Sequence, residues 1–337
     1  MELIVEGHGL FVGKHQGRLR VTRDKTTLDE APLIHLQQVL LVGSGIGISS
    51  DAVKACSEEG IPIHFLESTG PAIATLYAAG LTGTVATRRA QLLAYTDERG
   101  LTLARTFVEG KLLNQSNLLR YMAKYRKEAQ PELYKVLEEA ARQVQDSLAA
   151  LPLIKGSSVA DLRELLMGVE GNAAGAYWGA LAQVVPEHLA WPGRLTRGAT
   201  DPLNSALNYG YGVLYAQVER ALVLAGLDPY AGFLHADRPG KPSLVLDLIE
   251  EFRQTVVDRT VIGLVNRDMA IDLDEEGRLT EKVRKRLAEK VLERLAATEL
   301  YEGKRHALRH ILQCQARHMA TYLRGEGEQY TPFVAGW

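Results

Sequence analysis

Two stretches of this chain combine acids with residue types able to hold a divalent cation. In residues 167–178, MGVEGNAAGAYW, Glu170 stands among Gly168, Gly171, Ala173 and Ala174. Small neighbours admit the close approach of another backbone or of a ligand. A carboxylate set among small and apolar residues is costly to bury unless positive charge pairs with it, and a divalent ion meets that need. The plain alternative is an exposed acid at a helix kink.

The second stretch, residues 232–253, reads GFLHADRPGKPSLVLDLIEEFR. One histidine, His235, precedes a loop containing Pro and Gly, and Pro242 and Ser243 predict a helix start. On that helix Asp247 and Glu250 lie three residues apart and project from nearly one face, whereas Glu251 falls about 100° further round. Like charges at this spacing destabilise an isolated helix by about 0.2–0.5 kcal/mol, so the pair calls for a cation or an arginine to offset it. Magnesium and manganese favour carboxylate oxygens and keep water positions open, and manganese accepts an imidazole more readily. Taken alone, His235 reads as a hydrogen-bonded structural residue and the acidic pair as a wet helix face. Their occurrence in one chain with Glu170 turns the reading toward metal chemistry. Because Glu251 lies off that face, its replacement by Ala is expected to cost little.

The elements that must position these residues fall into two kinds. Residues 1–79 consist of short apolar segments of strand length between Gly-containing turns, among them ELIVEG, GRLRVTR, QQVLLVG and GIPIHFLE. Leu19 and Val21 alternate with Arg18 and Arg20, which predicts half-buried antiparallel strands. One helix interrupts them at SSDAVKACSEEG, with Ser49 or Ser50 to cap it and Gly60 to end it. Residues 80–92, rich in Gly, Thr and Ala at their start, read as the connector. Residues 93–337 carry apolar residues at three-to-four spacing and are expected to be helical nearly to the end. Ser158 and Asp161 have capping-box spacing, which predicts a helix presenting Leu162, Leu165, Leu166 and Val169 to the interior. Residues 278–299 predict a charged amphipathic helix with Val283, Leu287, Val291 and Leu295 on its buried side. Its charged side reads as a solvated face before a DNA-contacting one.

Composition narrows the class without naming it. The chain has 337 residues, a 46% apolar fraction and a formal net charge of −2, so any nucleic-acid binding must come from local patches. The two cysteines, Cys56 and Cys314, lack CxxC spacing, which fits a reducing cytosol. The N-terminus lacks the form of a secretory signal, and no run approaches the ~20 apolar residues that span a bilayer. A cytoplasmic protein without a membrane partner is expected.

Candidate phosphate-binding residues are Arg194 and Arg197 in WPGRLTRG and Arg305, Arg309, Arg317 and Arg324 near the C-terminus. Local carboxylates such as Glu302 and Glu326 are their competing partners. Tyr209 and Tyr211 in NYGYG could stack a base, with core packing as the alternative. Lys124, Arg126 and Lys127, interleaved with Tyr121 and Tyr125, form a further candidate patch.

Across nearly its whole length the chain resembles the CRISPR-associated adaptation integrase, the larger and catalytic protein of the spacer-acquisition complex. The resemblance rests on GVEGNAAGAYW, on DPLNSALNYGYGVLY, on AGLDPYAGFLHADRPGKPSLVLDLIEEFR and on QARHMATYLRGEGEQYTPF, in that order. It implies an α+β fold, with a small N-terminal β-sandwich-like domain followed by a larger all-α catalytic domain. It implies that Glu170, His235 and Glu250 are the metal ligands and catalytic residues, with Asp247 an accessory acid behind them. It further implies a Mg2+ or Mn2+ cofactor, a homodimer, DNA as substrate, and a smaller ferredoxin-like adaptation protein completing a heterohexamer.

The expected chemistry is attack on a DNA phosphodiester by a 3′ hydroxyl, or by water when the enzyme only cuts. His235 must be neutral to ligate, so activity is expected to fall below about pH 6.5 unless the metal holds the neutral form lower. The competing readings are a DNA-binding scaffold without catalysis and a general phosphodiesterase acting on RNA or branched DNA.

Overall fold

The computed structural model of the chain describes residues 2–70, 72–77, 85–156, 158–196 and 198–336. The N-terminal segments form strands β1 (Glu2–Glu6), β2 (Phe11–His15), β3 (Arg18–Arg23), β4 (Thr26–Pro32), β5 (Gln38–Val42), β6 (Gly47–Ile48), β7 (Ile63–Leu66) and β8 (Ala72–Leu76). One helix, α1 (Ser50–Glu58), interrupts them. Ser49 caps α1 by accepting from the Ala52 N–H at 3.1 Å, and Gly60 follows its end at φ +66°.

These strands make two four-stranded sheets, ordered β4-β3-β2-β6 and β1-β5-β7-β8. The first matches the antiparallel expectation through β2, β3 and β4, with Leu19 and Val21 buried and Arg18 and Arg23 exposed. The second departs from it: β1, β5 and β7 run parallel, and only β8 is antiparallel. The physical reason is α1, which supplies the crossover that joining parallel β5 and β7 requires.

All five residues of β5 are buried because the strand is covered on both faces. Val39 and Leu41 pack between the two sheets with Leu3, Val12, Leu19 and Ile63. Leu40 and Val42 point the other way, into the core of the helical region. A strand buried on both faces reads as an apolar run without alternation.

The remainder is built from α2 (Val85–Ala94), α3 (Glu98–Lys124), α4 (Pro131–Ala150), α5 (Val159–Ala182), α6 (Pro202–Leu224), α7 (Ser243–Leu248), α8 (Arg259–Val265), α9 (Glu281–Ala296) and α10 (Leu308–Leu323). Residues 85–92 of the expected connector are therefore helical, and residues 80–84 lie outside the described residues. The region is mostly helical as expected, with one antiparallel hairpin, β9 (Thr298–Tyr301) and β10 (Lys304–Ala307), between α9 and α10. Its two turn residues, Glu302 at φ +50° and Gly303 at φ +76°, have the left-handed conformations that match the twist of a tight hairpin. On α9, Val283, Leu287, Val291 and Leu295 are buried as the spacing predicts.

The two parts are locked together at one point of closest approach. A Cβ on Gly212 of α6 would sit 1.9 Å from the Gly70 carbonyl oxygen, so only glycine lets α6 meet the turn between β7 and β8. No helix of the described residues is long and apolar enough to cross a membrane.

Candidate metal and active site

Four elements converge on a cavity of about 740 Å3: α3 with Lys111 and Gln115, α5 with Glu170, Ala174 and Trp178, α6 with Asn208, Tyr211 and Tyr215, and the segment from His235 to Gln254. Ser158 caps α5 by accepting from the Asp161 N–H at 3.2 Å. Leu162 and Leu166 are buried, Val169 is half-buried and Leu165 is 51% exposed, so the interior stripe is narrower than the spacing predicts. Glu170, Ala174 and Trp178, each four residues apart, share the face that looks into the cavity.

α7 begins at Ser243 as expected but stops at Leu248, followed by a 3-10 turn at Ile249–Glu251 and a π turn at Gln254–Asp258. Such irregular turns inside helical segments recur at functional sites. The consequence is a division of labour between the two acids set three residues apart. Asp247 is fully buried and turns back onto the loop: Oδ2 accepts from Phe233 N at 2.6 Å and Leu234 N at 3.0 Å. Its Oδ1 accepts from His235 N and lies 2.8 Å from His235 Nδ1. The loop can wrap this carboxylate because residue 232 is glycine; a Cβ there would lie 2.8 Å from Oδ2.

An oxygen already accepting the backbone N–H of His235 is also the acceptor for a proton on Nδ1, and in the neutral ring with its proton there Nε2 carries the lone pair. Asp247 is thus the residue behind the histidine and not a partner of Glu250.

Glu250 turns the other way. Its Oε2 lies 2.8 Å from Lys111 Nζ and its Oε1 lies 3.3 Å from Arg253 Nη2. Lys111 also donates to Glu170 Oε1. One ammonium, 12% exposed, therefore bridges two carboxylates from separate elements. Burial would raise the Glu250 carboxyl, but Arg253 and Lys111 outweigh it and hold the group well below the usual carboxylate range. Burial would likewise lower the Lys111 ammonium, and Glu250 and Glu170 hold it above its ordinary value.

Among the described residues no three His, Cys, Asp or Glu side chains form a group able to hold a metal ion as they stand. The donor chemistry nonetheless fits a hard divalent cation. Two carboxylates already close on one positive charge, and Glu250 Oε2, though buried, receives no hydrogen bond of good geometry. Lys111 holds the cation position between them.

The sequence did not single out Lys111, Arg253 or Trp178, whereas it did offer Tyr211, which forms the aromatic floor beneath the cavity. The Arg253 guanidinium lies 4.9 Å from the Tyr211 ring centroid, and that of Arg194 lies 5.3 Å from Tyr211 and 5.7 Å from Trp178. Tyr211 is held by its hydroxyl, which donates to Asp258, as does Tyr177 at 2.7 Å. Burial pushes the Asp258 carboxyl up to about 6, the two tyrosine hydrogen bonds opposing the rise. The spacing of Glu250 and Arg253 was a usable signal, because an arginine three residues on can face the same acid.

Of the other candidates, Arg194 and Tyr211 join the cavity, and Arg194 is anchored by Asn208 Oδ1 at 2.7 Å and Asn204 Oδ1 at 3.1 Å. Tyr209 is fully buried in the helical core, which removes it from base stacking. Arg309 pairs with Glu2 at 3.4 Å and donates to Gln37, and Arg324 pairs with Glu326 at 2.5 Å and donates to Thr87, so both serve packing. Arg305 and Arg317 are exposed, away from the cavity. Arg197 lies outside the described residues. Glu251 faces away from the cavity as expected, yet it is fully buried and accepts from Tyr330, Gln315 and Phe333, so its replacement is not innocuous.

The family model described as CRISPR associated protein Cas1 matches residues 3–293. A CRISPR-associated endonuclease Cas1 of Archaeoglobus fulgidus is 38% identical over the full length of both chains, covering 100% of each. One of Pyrobaculum aerophilum is 38% identical over 98% of this chain and 99% of its own. Among solved structures, a casposase bound to integration product aligns at TM-score 0.83 and 24% identity, covering 98% of this chain and 92% of its own. A Cas1 protein from Thermotoga maritima aligns at TM-score 0.78 and 21% identity over 100% of this chain and 99% of its own. The Cas6-RT-Cas1–Cas2 complex aligns at TM-score 0.78 and 21% identity, covering 99% of this chain and 36% of the other. The match of family, length and fold means that this chain belongs to the Cas1 family of CRISPR-associated proteins.

Proposed function

We propose that this chain is a divalent-metal-dependent DNA endonuclease and integrase of CRISPR adaptation, which inserts short DNA fragments into the repeat array by attack of a 3′ hydroxyl on a phosphodiester. The observation that carries the reading is the convergence of Glu170 and Glu250 on one positive charge, inside a cavity that His235 also lines. Glu170, Glu250 and His235 Nε2 would hold Mg2+ or Mn2+ there. Such an ion, when bound, lowers the pKa of an attacking hydroxyl or water and offsets charge on the phosphate.

The chain's own groups supply the remainder. Asp247 keeps the proton on Nδ1 and so keeps Nε2 available. Arg253 and Arg194, braced on Tyr211, offer forked donors to phosphate oxygens. Exchange of one phosphodiester for another needs no outside source of energy, so positioning and charge neutralisation suffice. The endonuclease names of the relatives at 38% identity support cutting. The structural likeness to a casposase bound to its integration product agrees with joining. We assign the active form to a homodimer that joins a smaller ferredoxin-like adaptation protein in a heterohexamer, in keeping with the Cas1–Cas2 pairing of a structural neighbour.

The test is strand transfer of a labelled fragment into repeat DNA by the assembled complex in Mg2+ or Mn2+. Glu170→Ala and His235→Ala are expected to abolish cutting and joining while folding and dimerisation persist. Retained strand transfer would mean a scaffold without catalysis. Activity that needs neither repeat DNA nor the smaller protein would mean a general phosphodiesterase.

A further inference from the structure

Strand β10 runs directly into α10, and across that junction residues able to ligate a metal recur at every fourth position: His306, His310 and Cys314. Residues four apart on a helix share a face, so His310 and Cys314 project together from α10. Cys314 Sγ lies 3.4 Å from His310 Nε2. On the other side of His310 stands the His306 ring, 5.0 Å away between centroids and tilted by 32°. None of the three is fully buried, and none lines the candidate active site.

Both separations match ligands around one tetrahedral ion. With Zn–N near about 2.0 Å and Zn–S near about 2.3 Å, a ring nitrogen and a sulfur on one Zn2+ stand about 3.5 Å apart, and two bound imidazoles have centroids about 5 Å apart. A weak thiol hydrogen bond would account for the first separation but gives no reason for the second imidazole. As they stand the three donors are not gathered on one point, so the His306 ring must turn inward. It is partly exposed, and among the described residues no hydrogen bond fixes it.

We propose that His306, His310 and Cys314 bind one Zn2+ ion, with water in the fourth position. A thiolate and two imidazoles select such a metal, whereas Mg2+ and Mn2+ favour carboxylate sites. The ion would tie β10 to α10. It would thereby steady the hairpin whose Tyr301 hydroxyl donates to Gln315 at 2.9 Å, Gln315 in turn donating to Glu251 at 2.8 Å.

Co2+ is the probe, because its tetrahedral thiolate complexes absorb in the near ultraviolet through sulfur-to-metal charge transfer, and no cysteine lines the candidate active site. Titration of the reduced, metal-free full chain with CoCl2 under nitrogen should raise this band to saturation at one equivalent, and Zn2+ should bleach it. Cys314→Ser is expected to abolish the band. Cys56→Ser should leave it, since Cys56 is the other cysteine and is buried between α1 and the sheets. His310→Ala and His306→Ala are each expected to weaken Co2+ binding at least about 100-fold, because loss even of a residue behind a ligand costs about 10- to 100-fold. Both histidines reach the surface, so these variants should fold, which circular dichroism checks. Glu170→Ala should keep the band at full affinity, so failure of the catalytic proposal leaves this one untouched. Absence of the band would overturn the proposal, as would a band that survives Cys314→Ser or that His306→Ala leaves at full affinity.

Discussion

Asp247 Oδ1 holds His235 twice, accepting from its backbone N–H and facing its Nδ1, each at 2.8 Å. The same carboxylate fixes the two preceding backbone N–H groups, so loop position and ring tautomer depend on one side chain. Asp247→Asn keeps the shape but sets an amide where Nδ1–H needs an acceptor. Metal affinity and strand transfer are expected to fall about 10- to 100-fold. A 15N NMR spectrum of the imidazole should lose the signature of an Nδ1–H tautomer, and an unchanged spectrum with full activity would count against this role.

Lys111 stands where two carboxylates need a cation. Removing one partner of a buried ion pair costs about 3–5 kcal/mol, because the remaining charge is left uncompensated. Lys111→Met retains the apolar stem, so in EDTA its melting temperature should drop by several degrees. Mn2+ should then raise it by more than it raises the unaltered protein, since the ion no longer competes with the ammonium. Equal Mn2+ shifts in the two proteins would remove Lys111 from the cation position.

Glu251 is a neighbour of Glu250 with a different task. It accepts from the Tyr330 hydroxyl at 2.6 Å, Gln315 Nε2 at 2.8 Å and Phe333 N at 2.9 Å, which pins the C-terminal segment on α10. Glu251→Ala leaves these buried donors unpaired and should cost roughly 3 kcal/mol by denaturant titration. Strand transfer measured well below the melting temperature should survive; its complete loss in a folded variant would place Glu251 in the chemistry.

Asp258 sets a pH dependence of stability. Burial, opposed by hydrogen bonds from Tyr211 and Tyr177, raises its folded pKa from 3.8 to about 6, so between these values the folded state binds more protons than the unfolded one. Stability from this group is greatest below about pH 4 and is lost as pH rises through about 6, by roughly 3 kcal/mol at most. Asp258→Asn cannot titrate. The stability of the unaltered protein relative to this variant should therefore rise as pH is lowered from 7 to 4, and a difference independent of pH would contradict the assignment.

Much of the fold could be read from local signals. Ser49 and Ser158 cap the helices their spacing announced, and the four-residue rhythm of Val283 to Leu295 marks the buried side of α9. Strand direction could not be read, because Val39 and Leu41 on one face and Leu40 and Val42 on the other leave β5 no alternation. The β9–β10 hairpin was hidden because its turn is Glu-Gly, which lacks the Asn-Gly or Asp-Gly signal. Within the site, Lys111 sits in the long helix α3, where a lysine ordinarily reads as a solvated side chain; only the arrival of α5 and the Glu250 turn gives it two acids. Tyr209 and Tyr211 illustrate the same limit, since two tyrosines in one motif differ only in which side of α6 they occupy.

The most direct measurement is anomalous scattering from crystals of this protein soaked in Mn2+. One strong peak is expected in the cavity, within coordination distance of the Glu170 and Glu250 carboxylates and of His235 Nε2, with the Lys111 ammonium displaced. A fully soaked crystal with no peak there, or with Lys111 still bridging the two carboxylates and manganese held elsewhere, would contradict it.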